Sequence, residues 1–137
     1  MSKPVITTRL ATDEDGPAIK ALMSQFQPVD DWVDFSRVSP FWIVAEMGGQ
    51  IVGCIQTLPS RPFGNLENLH VQESLGKRYR AKIVERLLLD GCAVLRYHGA
   101  SAATGFVPDL LIEYRDMLTK RGTRIWDRGA VMMRRIV

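Results

Sequence analysis

Two cysteines and two histidines in 137 residues leave few ways to build a metal centre or a disulfide frame. Cys54 and Cys92 stand far apart, without metal-ligand spacing and inside apolar segments. They read as free buried thiols, and no metal site is expected. No apolar run approaches the roughly 18 residues that a membrane-spanning helix needs. The opening residues, Met1-Ser2-Lys3-Pro4-Val5, have no apolar signal core, so a cytosolic location is the expectation. Internal repeats, linkers and low-complexity stretches are missing as well. What remains is ordinary: 46% hydrophobic and 24% charged residues. A chain of this length fits one domain, 1–137, that buries roughly two-thirds of its unfolded surface.

The formal charge of +3 hides an asymmetry. Residues 1–75 carry 5 Lys/Arg against 9 Asp/Glu, and residues 76–137 carry 13 against 6. A basic half attracts an anionic ligand such as a nucleotide cofactor or nucleic acid, and an acidic half attracts an amine; solvated faces of a folded domain explain the same charges.

Val5-Ile6-Thr7-Thr8-Arg9-Leu10 reads as a short first strand. Thr12-Asp13-Glu14-Asp15 opens a helix, with Thr12 as cap and Asp15 at the capping-box position. Ile19, Leu22, Met23 and Phe26 give it one apolar face, and it is expected to end near Gln27-Pro28. Residues 28–40 read as a short helix or an ordered loop. There Asp30, Asp31 and Asp34 either receive a cationic substrate over Trp32 and Phe35, or face water while Trp32 and Phe35 close the core. Residues 41–47 and 50–58 form a hairpin about Gly48-Gly49. A strand is expected at about residues 65–72 and a long helix at about 79–97. Its core face is Val84, Leu87, Leu88, Gly91, Cys92 and Leu95. A weak strand over 100–107, a helix from Asp109 to Gly122 and a terminal strand pair complete the chain.

The chain is organised around Leu66-Glu67-Asn68-Leu69-His70-Val71-Gln72-Glu73-Ser74-Leu75-Gly76-Lys77-Arg78-Tyr79-Arg80-Ala81, running directly into Lys82-Ile83-Val84-Glu85-Arg86-Leu87-Leu88, a strand that feeds a helix through a cationic turn. Unpaired amides at the helix start, with Lys77, Arg78, Arg80 and Lys82 around them, suit a phosphate or pyrophosphate. Ordinary solvated basic residues at an α/β turn account for the same pattern.

This order of elements resembles the GNAT superfamily of acyl-CoA-dependent N-acetyltransferases over the whole chain. Arg9-Leu10-Ala11-Thr12-Asp13-Glu14-Asp15 resembles the family's first strand and helix start, and Ala45-Glu46-Met47-Gly48-Gly49-Gln50-Ile51-Val52-Gly53 resembles its second-to-third strand hairpin. The resemblance implies an α/β (α+β) single-domain GNAT-like fold, a mixed, mostly antiparallel sheet of about six to seven strands flanked by about four helices. Leu69-His70-Val71 and the turn after it lie where the family keeps its acetyl-CoA motif. Aligning that motif places Gly76, Tyr79 and Ala81 on its key positions; a shift of one places Leu75, Arg78 and Arg80 there. Either way a bulky residue stands where the family has a small one.

The resemblance also implies acetyl transfer from acetyl-CoA to an amine, small-molecule or protein. Val71, Gln72, Gly76, Lys77, Arg78, Tyr79, Arg80, Ala81 and Lys82 would hold the cofactor, with oxyanion donors among the amides of residues 70–72. Glu67, sharing strand parity with Leu69 and Val71, is the first candidate base and His70 the second. A family Tyr that protonates the CoA thiolate aligns with Leu118; Tyr114, one turn earlier, is the candidate to replace it, or is a packing residue. Asp30, Asp31 and Asp34 fall in the acceptor region. The altered motif supports a second class as well: a catalytically degenerate binding or assembly module, such as a regulatory partner or a phage structural component. Nucleic-acid binding through residues 77–86 ranks below both, because only Tyr79 interleaves the cations.

Overall fold

The computed structural model describes residues 3–106, 119–120, 124–125 and 131–135. Among the described residues the strands are β1 (Ile6–Leu10), β2 (Trp42–Met47), β3 (Gln50–Leu58), β4 (Phe63–Val71), β5 (Ala102–Phe106), β6 (Arg124–Ile125) and β7 (Val131–Arg135), and the helices described along their length are α1 (Gly16–Met23) and α2 (Lys77–Tyr97). The strand order is β1-β2-β3-β4-β5-β7-β6. β4 and β5 pair in parallel, whereas β1–β2, β2–β3, β5–β7 and β6–β7 pair antiparallel, so the sheet is mixed as expected.

The chain forms two compact units, one of residues 1–56 and 68–90, the other of 57–67 and 91–137. In the first, Gly48 and Gly49 both take positive φ, 61° and 77°, the pair of values that a two-residue hairpin turn requires and only glycine adopts without strain. Helix α1 is introduced by a 3-10 turn, Asp13–Asp15, in which the Asp15 carboxylate accepts the Thr12 amide at 2.8 Å and Arg9 Nη1 at 2.7 Å. Arg9 also donates to Glu46 at 2.8 Å, tying the helix start to β1 and β2. The hydrogen bond from Arg9, ahead of those from Thr12, holds the Asp15 carboxyl down at about 2.

Helix α1 ends at Met23, earlier than expected. Ser24 donates its hydroxyl to Lys20 O at 2.7 Å, and Gln25 and Phe26 donate to carbonyls three residues back, so the helix tightens and stops. Ile19, Leu22 and Met23 enter a core with Ala11, Val38, Trp42, Val44 and Cys54. Residues 28–40 are an ordered loop without a helix. Asp13 Oδ1 accepts the amides of Val38 and Ser39 at 3.0 and 2.9 Å, and Phe35 packs against Trp42 with ring centroids 6.2 Å apart. Trp32 does not close the core; it is 82% exposed, because the anchors of this loop are Phe35 and Val38.

On the other face of β3, Gly53 admits α2. A Cβ there would lie 2.7 Å from Ile83 Cγ2 and 3.1 Å from Leu87 Cδ1, so only glycine lets the helix lie this close. Ile83, which the helical spacing passed over, is fully buried beside Val84 and Leu87.

In the second unit, β4 pairs with β5 from Phe63↔Ala102 to Leu66↔Gly105, and Asn65 and Thr104 hydrogen-bond across the pair. Leu66 packs on Gly91, the close helix-to-sheet approach expected from that glycine. Helix α2 ends where expected: Gly99 takes φ 94°, its amide bonds Arg96 O at 3.0 Å and Ala100 N bonds Leu95 O at 3.0 Å, a Schellman cap. The terminal strand pair is present as β6 and β7. Most of the helix expected from Asp109 to Gly122, with Tyr114 and Leu118, lies outside the described residues.

Candidate functional site

The end of β4 and the start of α2 define the site. Gln72 donates its amide to Val52 O at 2.8 Å. Alternate amides along a strand face the same neighbour, so the amide of Val71 points away from β3. Of the backbone donors expected over residues 70–72, Gln72 is therefore committed to the ladder and Val71 is directed elsewhere. The Gln72 side chain is occupied too, donating from Nε2 to Ser74 Oγ at 2.8 Å.

A tight turn follows, in which Leu75 N bonds Gln72 O at 3.3 Å. Gly76 O then accepts Arg80 N at 3.0 Å, which makes Gly76 the cap of α2 and leaves the amides of Arg78 and Tyr79 without intrahelical acceptors. A Cβ on Gly76 would meet only Tyr79 Cδ2, at 4.0 Å, so the turn is open.

Lys77, Arg78 and Lys82 are exposed on this first stretch of helix, and Tyr79, Arg80 and Ala81 are half-buried. The bulky residues do not block the turn from one direction: the Tyr79 ring lines the flank of α2 beside Lys82, Arg86 and Leu89, facing residues 3–6. Arg80 Nε is buried and, alone among the buried side-chain polar atoms of the described residues, has no partner. A buried guanidinium donor without an acceptor is costly. Open glycine, helix-start amides and the exposed cations Lys77 and Arg78 together fit a pyrophosphate.

Upstream, Asn68 interrupts β4 with φ 53°, a left-handed conformation that asparagine tolerates better than most residues. Its Nδ2 donates to Gln56 Oε1 at 2.8 Å, and its carbonyl accepts the Cys54 thiol at 3.6 Å. Before Asn68 the buried positions are Gly64 and Leu66; after it the buried position is Val71. Strand parity therefore shifts at Asn68, and the expectation that Glu67 shares a face with Leu69 and Val71 does not hold. Glu67 is exposed. Asparagine in an apolar strand was the available signal for this irregularity.

His70 is half-buried and stacks on Phe26, ring centroids 5.1 Å apart at 30°, a contact the sequence reading missed. Burial pushes the imidazole below its ordinary pKa, so it is neutral at neutral pH. The loop carrying Asp30, Asp31 and Asp34 keeps all three acids exposed. Asp34 accepts the Ser36 amide at 2.8 Å, and the Ser36 hydroxyl, ahead of that amide, lowers its carboxyl from the ordinary value. Asp31 stands 3.9 Å from Lys20 Nζ. Tyr114 lies outside the described residues. Among the described residues no group of His, Cys, Asp or Glu is placed to hold a metal, and no helix is long and apolar enough to cross a membrane.

No protein-family sequence model matches the chain, and no curated protein matches it by sequence. Solved structures do. An acetyltransferase of the GNAT family from Staphylococcus aureus Mu50 superposes with a TM-score of 0.79 at 15% identity, over 97% of this chain and 100% of that one. The diaminobutyrate acetyltransferase EctA of Paenibacillus lautus, solved with L-2,4-diaminobutyric acid and coenzyme A, gives 0.67 at 13% identity over 96% and 94%. N-acetylglutamate synthase from Neisseria gonorrhoeae, solved with coenzyme A and L-arginine, gives 0.75 at 17% identity over 97% of this chain, which spans 34% of that protein. At these identities the likeness is one of fold, and the fold this chain adopts is that of the GNAT acetyltransferases.

Proposed function

We propose that the protein is an N-acetyltransferase that moves an acetyl group from acetyl-CoA to a primary amine. The observation that carries this reading is the start of α2 in a GNAT fold, where open Gly76, the helix-start amides and Arg80, with its unpaired buried Nε, lie within the first turn. In this reading Gly76, Lys77, Arg78, Arg80, Ala81 and the backbone amide of Tyr79 hold the pyrophosphate end of the cofactor, by backbone amides and by charge, whereas the Tyr79 ring and Lys82 line the flank of α2 and are left out of it. Gln72 shapes the turn, and the Val71 amide, directed away from β3, is the donor for the acetyl carbonyl oxygen.

When bound, acetyl-CoA supplies a thioester carbonyl that a neutral amine can attack. The acceptor arrives as an ammonium ion, drawn by the exposed carboxylates of Asp30, Asp31 and Asp34 beside the exposed ring of Trp32. Its proton goes to Glu67 or to His70: Glu67 is exposed but has lost its shared face with Val71, and His70 is kept neutral by burial. Tyr114 is the proton donor to the leaving thiolate. The amine-binding structures among the fold neighbours favour a small amine over a protein one.

Calorimetric titration with acetyl-CoA tests the reading, with desulfo-CoA and ADP as partial ligands. Micromolar binding, about −8 kcal/mol, that weakens when Arg78 and Arg80 become Ala is the expected result. Absence of heat and of thermal stabilisation at millimolar acetyl-CoA would overturn it in favour of a module that has kept the fold and lost catalysis.

A further inference from the structure

Within the first unit, a cavity of about 390 Å³ lies between the flank of α2 and the residues leading into β1. It falls within the range of about 300–1,000 Å³ typical of small-molecule sites. Lys3, Lys82 and Arg86 line it against the single acid Glu85. Among the described residues neither Lys3 nor Lys82 has an ion pair. Arg86 is held in the wall by bonds from Nη1 to Ile6 O at 2.9 Å and from Nη2 to Thr8 Oγ1 at 3.3 Å, and Thr8 in turn donates to Asp90. Those bonds use two of the five donors that a guanidinium carries, and neither acceptor is a carboxylate.

Three cations around one small volume repel one another and are relieved by an anion. With Glu85 counted, the lining carries two excess positive charges, the complement of a phosphate monoester dianion. The remaining wall is a half-buried ring, Tyr79, whose hydroxyl has no partner among the described residues, and the aliphatic surface of Pro4, Ile6 and Leu89, the last 46% exposed. A ring beside aliphatic carbon suits a flat apolar body.

We propose that this cavity is a second ligand site, separate from the helix-start turn, for a phosphate monoester that carries a heteroaromatic base, of the nucleoside monophosphate class. The ring of Tyr79 and the side chains of Pro4, Ile6 and Leu89 take the base, and Lys3, Lys82 and Arg86 take the phosphate. The site stands whether or not the protein is an acetyltransferase, since it uses the flank of α2 and not its end. Tyr79 lines the cavity, and its Cδ2 would stand 4.0 Å from a Cβ on Gly76, so an occupant of the cavity neighbours the helix-start turn without filling it.

Equilibrium titration of the whole protein with AMP tests the proposal, with adenosine as the control for the phosphate, repeated in the presence of saturating CoA. The expected result is saturable AMP binding that adenosine does not reproduce, that salt weakens, and that CoA leaves in place. Lys3→Glu and Leu89→Glu, both at exposed positions, are expected to weaken AMP by about tenfold or more while CoA binding and the circular dichroism spectrum stay at wild-type values. Failure to saturate at millimolar AMP, wild-type affinity in both variants, equal binding of adenosine, or one-for-one displacement of AMP by CoA would each overturn it. AMP binding by a protein that takes no CoA would support the site and reject the acetyltransferase reading alone.

Discussion

Replacing Gly16 by Ala is a sharp test of how the loop of residues 28–40 is held. Gly16 has φ −51°, ordinary helical backbone, so the substitution introduces no conformational strain. On intrinsic propensity it should stabilise the helix by up to about 1 kcal/mol. The space argues the other way. A Cβ would fall 1.9 Å from Phe35 O and 2.9 Å from Phe35 C, whereas real Cβ atoms do not approach closer than 3.0 Å. The obstacle is backbone, not the tip of a side chain. It is anchored on both sides, through Asp13 to the amides of Val38 and Ser39 and through Phe35 on Trp42. The carbonyl has to retreat by about 1 Å against those anchors, an overpacking cost of about 2–3 kcal/mol that outweighs the propensity gain. A net loss of about 1–2 kcal/mol follows, read as a lower urea midpoint at unchanged slope. Gly91→Ala is the companion measurement. Its Cβ would meet Leu66 Cδ2 at 2.7 Å, the movable end of a leucine, and a helix-interior alanine gains about 1 kcal/mol, so that variant should lie closer to wild type. A Gly16→Ala protein as stable as wild type, or more so, would refute the reasoning and mean that residues 35–39 yield freely.

Acid stability should show two separate limbs. His70 is lowered from 6.5 by burial, so below that value the unfolded chain binds a proton that the folded one resists, and stability falls as pH drops from 7 towards 5; His70→Gln should flatten this slope in urea titrations. Asp15, held at about 2 against an ordinary 3.8, adds stability that is present above 3.8 and is lost as pH falls towards 2, and Asp15→Asn should remove that lower limb together with about 1 kcal/mol at neutral pH. Cys54 is fully buried and its thiol is pushed up to about 12, so iodoacetamide at pH 8 should modify half-buried Cys92 first and Cys54 only on unfolding, as peptide mass mapping would reveal. If acetyl transfer is detected, Glu67→Gln should lower kcat by about 10²–10⁴-fold with CoA affinity unchanged; a full-rate variant, with the loss appearing in His70→Gln instead, would move the base to His70.

Where one local rule dominates, the sequence was sufficient. Gly48-Gly49 admits only a tight hairpin, the Gly99 cap ends α2 where its apolar face runs out, and Gly91 marks a close helix-to-sheet approach. Where several contacts compete, it was not. Trp32 and Phe35 look alike on paper as core closers, yet the two amides that Asp13 captures at residues 38 and 39 fix which stretch of the loop turns inward, and Trp32 is left in water. That clamp spans 25 residues of sequence and has no local signature. Asn68 is the instructive case for the site. Period-two alternation assigned Glu67 to the face of Val71, and a single left-handed residue between them cancels the assignment, because a strand's parity survives only as long as every residue in it stays extended. The same limit applies at the turn. Side-chain size at residues 79 and 80 reads as an obstruction when written as a motif, whereas a helix sends successive side chains out about 100° apart, so Tyr79 leaves along the flank while the amides at the helix start keep their direction. A motif written as small residues therefore tests whether the backbone can approach a ligand, and here that question is decided by Gly76 and by where Tyr79 goes, not by how large it is.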